Sequence, residues 1–199
     1  MADFVGLAFD LAFKYRNPAI ILADGVIGQM MEKVVLPEQR PRLTDEEVMA
    51  RCPWATFGRL KHRGPNIVTS LELDPAEMEK RNIHLQQKYA EIEEKEVRYE
   101  EIHCDDAEYL IVAFGSCARI CQKVVEIARA EGIKVGLLRP ITLWPFPSKA
   151  IAERSRQVKG ILTVELNAGQ MVEDVRLAVE CKVPVEYFGR LGGIVPDPD

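Results

Sequence analysis

A chain of 199 residues that is 47% hydrophobic and 29% charged has the composition of an ordinary soluble globular protein, with length enough to bury a core in one domain or two. The net charge of -5 and pI near 5.4 leave no basic footprint, which argues against nucleic acid or an anionic membrane as the main partner. No apolar run approaches membrane-spanning length and the start MADFVGLAF lacks a basic n-region, so a cytoplasmic location is the default expectation.

Residues 3–16 (DFVGLAFDLAFKYR) carry apolar groups at Phe4, Val5, Leu7, Ala8, Leu11 and Ala12, the stripe of an amphipathic helix. Asn17-Pro18 breaks it, AIILAD at 19–24 reads as a buried strand ended by Asp24-Gly25, and a short helix is expected over roughly 26–35. One strand cannot make a sheet, so this helix–strand–helix is a piece of an α/β layer. Residues 37–73 read as a loop-rich connector, with Pro37, Pro41, Pro53 and Pro65, and with Trp54 and Phe57 expected to pin it down. Asp74-Pro75 is a strong helix start, and the charged segment 75–95 reads as a solvated helical face.

The rest alternates strand and helix. The expected order is edge strand 97–104, strand 109–115, helix 116–131 closed by Gly132, strand 134–140, helix near 148–158, strand 160–165, helix 169–181 and strand 183–189. Such alternation predicts parallel strands with helices on both faces, a three-layer α/β/α domain. Between 137 and 147 (LLRPITLWPFP) the prolines stop the strand, and Leu143, Trp144 and Phe146 stand where loops are normally polar. They fill a satellite core or meet another protein.

The five cysteines, at 52, 104, 117, 121 and 181, form no Cys-x-x-Cys pair, which argues against an iron–sulfur or zinc site built from this chain alone. Ser116 and Cys117 open a helix after a strand, a place suited to anion binding or to a thiol of lowered pKa, although the simpler reading makes Ser116 a helix N-cap. For Cys117 and Cys121, at i and i+4, core packing explains the spacing as well as redox chemistry does. His62, His84 and His103 have no evident partner for catalysis. Glu165, Asn167, Gly169 and Gln170 lie at the carboxyl end of a parallel strand, where open α/β sheets expose functional groups. They hold a ligand or a partner's backbone, or they are turn chemistry, and the two readings weigh evenly. No Gly-x-Gly-x-x-Gly loop and no Gly-Asp-Gly element is present; Asp24-Gly25 lacks the first glycine and a downstream Asn.

YLIVAFGSCARICQKVVEIARAEGIKVGLLRPITLWPFP followed by ILTVELNAGQMVEDVR resembles the transketolase C-terminal-like domain of the alpha subunit of 2-oxoacid:ferredoxin oxidoreductases. FVGLAFDLAFKYRNPAIILADGVIGQ resembles the end of the thiamine-diphosphate pyrimidine-binding domain of the same subunit, and PWATFG in the connector is closest to the branched-chain, 2-oxoisovalerate members. The resemblance implies five strands in the order 1-3-2-4-5 with the first antiparallel, and three parts: a pyrimidine-domain remnant at 1–36, a connector with a charged helix at 37–96, and the transketolase C-terminal-like domain at 97–199. It implies a chain that begins inside the pyrimidine-binding domain, whose residues 1–36 are swapped into a homodimer or poorly ordered. The implied activity is oxidative decarboxylation of a 2-oxoacid to an acyl-CoA with electrons to ferredoxin. Thiamine diphosphate, Mg and iron–sulfur clusters are expected in the complete enzyme with beta and gamma/delta subunits, and none on this chain alone, so no catalytic residue is carried over. Homo-oligomerisation is expected, with Leu143 to Pro147 as a rigid apolar docking platform. A free-standing, non-enzymatic assembly or regulatory module on the same fold is the alternative, and a thiol enzyme using Cys117 is a further one.

Overall fold

A computed structural model describes residues 1–56, 58 and 64–198, in two compact units, Met1–Leu22 with Met31–Lys88 and Ala23–Met30 with Tyr89–Asp199. Phe57 and His62 lie outside the described residues.

In the first unit the apolar stripe forms α1 (Ala2–Tyr15), which ends where Arg16 turns left-handed at φ 49° ahead of Asn17-Pro18. Trp54 packs its ring on Phe13 at 6.0 Å with the Arg16 guanidinium over it at 4.7 Å, which fastens part of the connector to this helix. Arg40 grips Asp10 through two hydrogen bonds of 2.5 and 2.8 Å. The connector is not wholly irregular. Thr44 and Glu47 form a reciprocal capping box that starts α3 (Asp45–Arg51), the short α2 belonging to the other unit. The expected strand at 19–24 does not form: Ile20 is 81% exposed and Leu22 68%, with no neighbouring strand among the described residues to take up their backbone groups. The helix expected over 26–35 shortens to α2 (Gly25–Gln29), capped by Asp24, whose carboxylate accepts the Ile27 N–H at 2.8 Å. The charged segment is α4 (Pro75–Lys95), with Asp74 accepting from the Ala76 and Glu77 N–H groups at its start.

The second unit is a five-stranded sheet in the order β1-β3-β2-β4-β5. β1 (Tyr99–Ile102) runs antiparallel to β3 (Val135–Pro140), while β2 (Tyr109–Ala113), β3, β4 (Gly160–Glu165) and β5 (Val185–Gly189) are parallel. This is the order and the single reversed strand that the transketolase C-terminal-like resemblance implies. Alternation along the strands sorts the core. Ile111, Ala113, Leu137 and Val164 pack with Cys117, Cys121 and Val125 of α5 (Gly115–Ala130) on one face. Leu110, Val112, Leu138 and Ile161 pack on the other face with Ile151 of α6 (Ser148–Ser155) and Val175 and Val179 of α7 (Met171–Val179). Three layers result.

Gly132, at φ 86°, closes α5 with the bonds Ile133 N–H to Ala128 O and Gly132 N–H to Arg129 O, the Schellman arrangement. Gly136 has another reason to be glycine: a Cβ there would lie 2.9 Å from His103 O and 3.0 Å from both Ala107 Cβ and Cys104 Cα. Arg154 of α6 clasps Glu101 of β1 with bonds of 3.0 and 2.5 Å, so the edge strand is held by a side-chain fork in addition to its ladder.

Candidate functional site

In a sheet of this order the crevice falls between β2 and β4, outside their carboxyl ends, because the crossovers on the two sides leave in opposite directions. Four sequence candidates meet around β4. Glu165 is 1% exposed, and its carboxylate accepts the backbone N–H groups of Met171 at 2.9 Å, Val172 at 3.0 Å and Gln170 at 3.3 Å, together with Asn167 Nδ2 at 3.0 Å. It thereby caps α7, satisfying donors that have no partner within a helix. Asn167 Oδ1 accepts the Gly169 N–H at 2.7 Å, and Tyr187 donates its phenol hydrogen to Asn167 O. Gly169 sits at φ 99° with Val172 Cγ1 only 3.2 Å from where a Cβ would be. Glu165, Asn167 and Gly169 thus form a closed local network, and the Gln170 side chain stays exposed beside it.

On the β2 side, Ser116 is not the N-cap. Phe114 holds that position, and Gly115 takes φ 57°, so Ser116 lies within the first turn with its Oγ buried and unpartnered. The capping carboxylate comes instead from Asp24, whose Oδ2 accepts the Ser116 N–H at 3.4 Å. Burial acts to raise the Asp24 carboxyl, but the N–H groups of Ile27, Ser116 and Val26 outweigh it and hold the group below the usual carboxylate range. This contact spans 92 residues and gave no signal in the sequence.

Beside these two carboxylates lies Cys117. Burial, then the charges of Asp24 and Glu165, push its thiol up to about 11, the opposite of the lowered pKa that the thiol-enzyme reading calls for. Cys121 is pushed up to about 12, by burial first and then by Cys117. His103 turns left-handed at φ 52°, and its carbonyl accepts from Arg129 Nη2 at 2.7 Å.

The loop after β3 divides. Leu143 and Phe146 pack against the α6–α7 core, whereas Trp144 is 54% exposed with its ring edge-on to Tyr89 at 5.7 Å.

Residues 107–199 match the family model for the pyruvate:ferredoxin oxidoreductase core domain II. The ketoisovalerate oxidoreductase subunit VorB of Methanothermobacter thermautotrophicus is 48% identical over 193 residues, which is 97% of this chain and 53% of that one. The chain belongs to the 2-oxoacid:ferredoxin oxidoreductase subunit family. The 2-oxoglutarate synthase subunit KorA of Archaeoglobus fulgidus is 31% identical over 96% of this chain and 53% of its own. A solved structure of 2-oxoglutarate:ferredoxin oxidoreductase from Magnetococcus marinus, with 2-oxoglutarate, coenzyme A and succinyl-CoA bound, superposes with a TM-score of 0.57. At 22% identity over 64% of this chain and 22% of that one, it shows likeness of fold. This family member spans about half the length of the curated relatives it matches.

The described residues are not arranged to hold a metal ion or an iron–sulfur cluster. Asp24 and Glu165 are committed to helix N-termini, and no cluster of three or more His, Cys, Asp or Glu suited to a metal occurs among the described residues. Cys104, Cys117 and Cys121 are buried in the packed core with raised thiol pKa values, so cluster ligation would require unpacking both sheet faces. No helix among the described residues is long and apolar enough to cross a membrane.

Proposed function

We propose that this chain is the C-terminal part of the alpha subunit of a 2-oxoacid:ferredoxin oxidoreductase whose substrate is 2-oxoisovalerate. The complete enzyme would decarboxylate the 2-oxoacid oxidatively, form the acyl-CoA and pass the electrons to ferredoxin. Thiamine diphosphate, Mg and the iron–sulfur clusters would be held by the beta and gamma or delta subunits and by residues outside those described here, in the cytoplasm. The observation that carries this reading is the 48% identity to a ketoisovalerate oxidoreductase subunit across 97% of the chain, against 31% to a 2-oxoglutarate one.

Within that assembly the chain is a structural partner. Residues 1–36 act as the end of a pyrimidine-binding domain, 37–96 as a connector and 97–199 as a transketolase C-terminal-like body. The exposed Trp144, with Gln170 at the mouth of the crevice, offers a surface to the neighbouring subunit. The carboxylates of Glu165 and Asp24, which cap α7 and α5, hold the two helix starts of that body in place.

Purification of the native complex, followed by viologen reduction dependent on CoA, tests the reading. Turnover with 2-oxoisovalerate should exceed turnover with 2-oxoglutarate at least tenfold (on the order of 1.4 kcal/mol of discrimination), and the isolated chain should give none. A complex that prefers 2-oxoglutarate, or a chain that does not co-purify with a thiamine-diphosphate subunit, would overturn it.

A further inference from the structure

The outer edge of β5 is open. The ladder to β4 uses Pro184 O, which accepts the Ile161 N–H at 2.9 Å, and the Arg190 N–H, which donates to Glu165 O at 3.2 Å. By alternation the backbone groups of Glu186 and Phe188 also face β4, and those of Val185, Tyr187 and Gly189 face away from the sheet. Arg176 Nη2 approaches Val185 O at 3.5 Å, and the outward groups of Tyr187 and Gly189 have no partner among the described residues. Natural edge strands are blunted by lysine, internal proline or a bulge. The sequence VEYFG contains none of these, and it is ringed by exposed apolar groups: Phe188 at 45%, Leu191 at 58% and Ile194 at 53%.

We propose that this edge pairs with the β5 edge of a second copy of the chain, antiparallel about a two-fold axis at Phe188. The charges select the occupant and the register. Glu186, Phe188 and Arg190 alternate onto the same face of the sheet, all exposed, and neither Glu186 nor Arg190 has an ion-pair partner among the described residues. With the axis at Phe188, Tyr187 of one copy exchanges both backbone hydrogen bonds with Gly189 of the other. Glu186 then stands directly opposite Arg190 twice, and Phe188 opposite Phe188. These fall at the non-hydrogen-bonded positions, where side chains approach most closely. Moving the axis to Tyr187 would set Glu186 against Phe188 and leave Arg190 without a partner. A strand with opposite charges at both ends of an apolar centre is self-complementary in only one sense, and isologous pairing supplies it. Gly189 keeps its side free because a Cβ there would collide with the Tyr187 phenol oxygen, which is turned away toward Asn167.

Two measurements on the full chain test the pairing. In the first, Phe188→Cys is made in a Cys181→Ser background, since Cys181 is an exposed native thiol. Directly opposed Cα atoms about 4.5 Å apart lie within disulfide reach, so mild oxidation should give a reducible covalent dimer in high yield. Leu177→Cys, on α7 and more accessible still at 75% exposure, should not. In the second, sedimentation equilibrium should show that Glu186→Arg and Arg190→Glu each raise the dimer dissociation constant about tenfold, with the double reversal restoring it to within about threefold. Circular dichroism should stay unchanged throughout. A monomeric wild type at roughly 100 μM, no cross-link at position 188, or single reversals without effect or without rescue would each overturn the proposal.

Discussion

Glu165 performs a task that a Ser or Asp N-cap usually performs, but it does so from the end of the preceding strand. The N–H groups of Gln170, Met171 and Val172 at the start of α7 and one amide hydrogen of Asn167 converge on its carboxylate. Glu165→Gln keeps the shape but turns an amide hydrogen toward donors, so it should cost about 2–3 kcal/mol in urea unfolding, with Glu165→Ala at least as severe. An unchanged midpoint would mean that the network is decorative. The thiols give a second test at this scale. Burial is the leading cause that raises Cys104 to about 11, Cys117 to about 11 and Cys121 to about 12, from an ordinary 9.0. The folded chain therefore holds these protons at pH values where the unfolded chain has released them. Stability is complete below about pH 9 and is lost as the pH rises through the folded values. Urea midpoints compared at pH 8 and pH 10 should show the decline, and Cys121→Ala, although less stable at both, should show a shallower one.

At the scale of elements, Gly136 is the sharpest constraint. Gly136→Ala leaves φ acceptable but drives a methyl into the backbone of residues 103 and 104, which the β1–β2 connection has no room to yield. A loss of about 1–3 kcal/mol, seen as a lower thermal midpoint, is expected. The sheet itself was legible in the sequence. Apolar runs such as YLIVA and GILTVE are bounded by Gly and by helical periodicity, and each signal sits within a few residues of the strand it marks. AIILAD carried the same signal, but a strand also needs neighbours, and the order of elements read from the sequence already offered it none. The helix at Asp45–Arg51 went the other way. Its capping box is readable in TDEE, but the surrounding prolines outweighed it. At the candidate site the turn around Asn167 and Gly169 was readable as one of two possibilities. Two contacts that shape the site, Asp24 with Ser116 and Tyr187 with Asn167, join residues 92 and 20 positions apart and leave no local signal.

For the whole molecule, the aromatic loop divides into a packed part and an exposed part. Phe146 is packed on the core, so Phe146→Ser should lower the thermal midpoint by several degrees, in line with about 2–3 kcal/mol for a large apolar side chain. Trp144 is largely in solvent, so Trp144→Ser should leave the midpoint within roughly 2 °C while weakening retention of the neighbouring subunit in a pull-down. Equal losses of stability from both would assign Trp144 to the core. The two helix starts that flank the crevice have a consequence for the chemistry around them. Each already carries an anion of its own, Asp24 on α5 and Glu165 on α7. A helix start that already holds a carboxylate attracts nucleotides or phosphorylated metabolites less than an open one would. Pyrophosphate at roughly 10 mM should accordingly leave the thermal midpoint where it was.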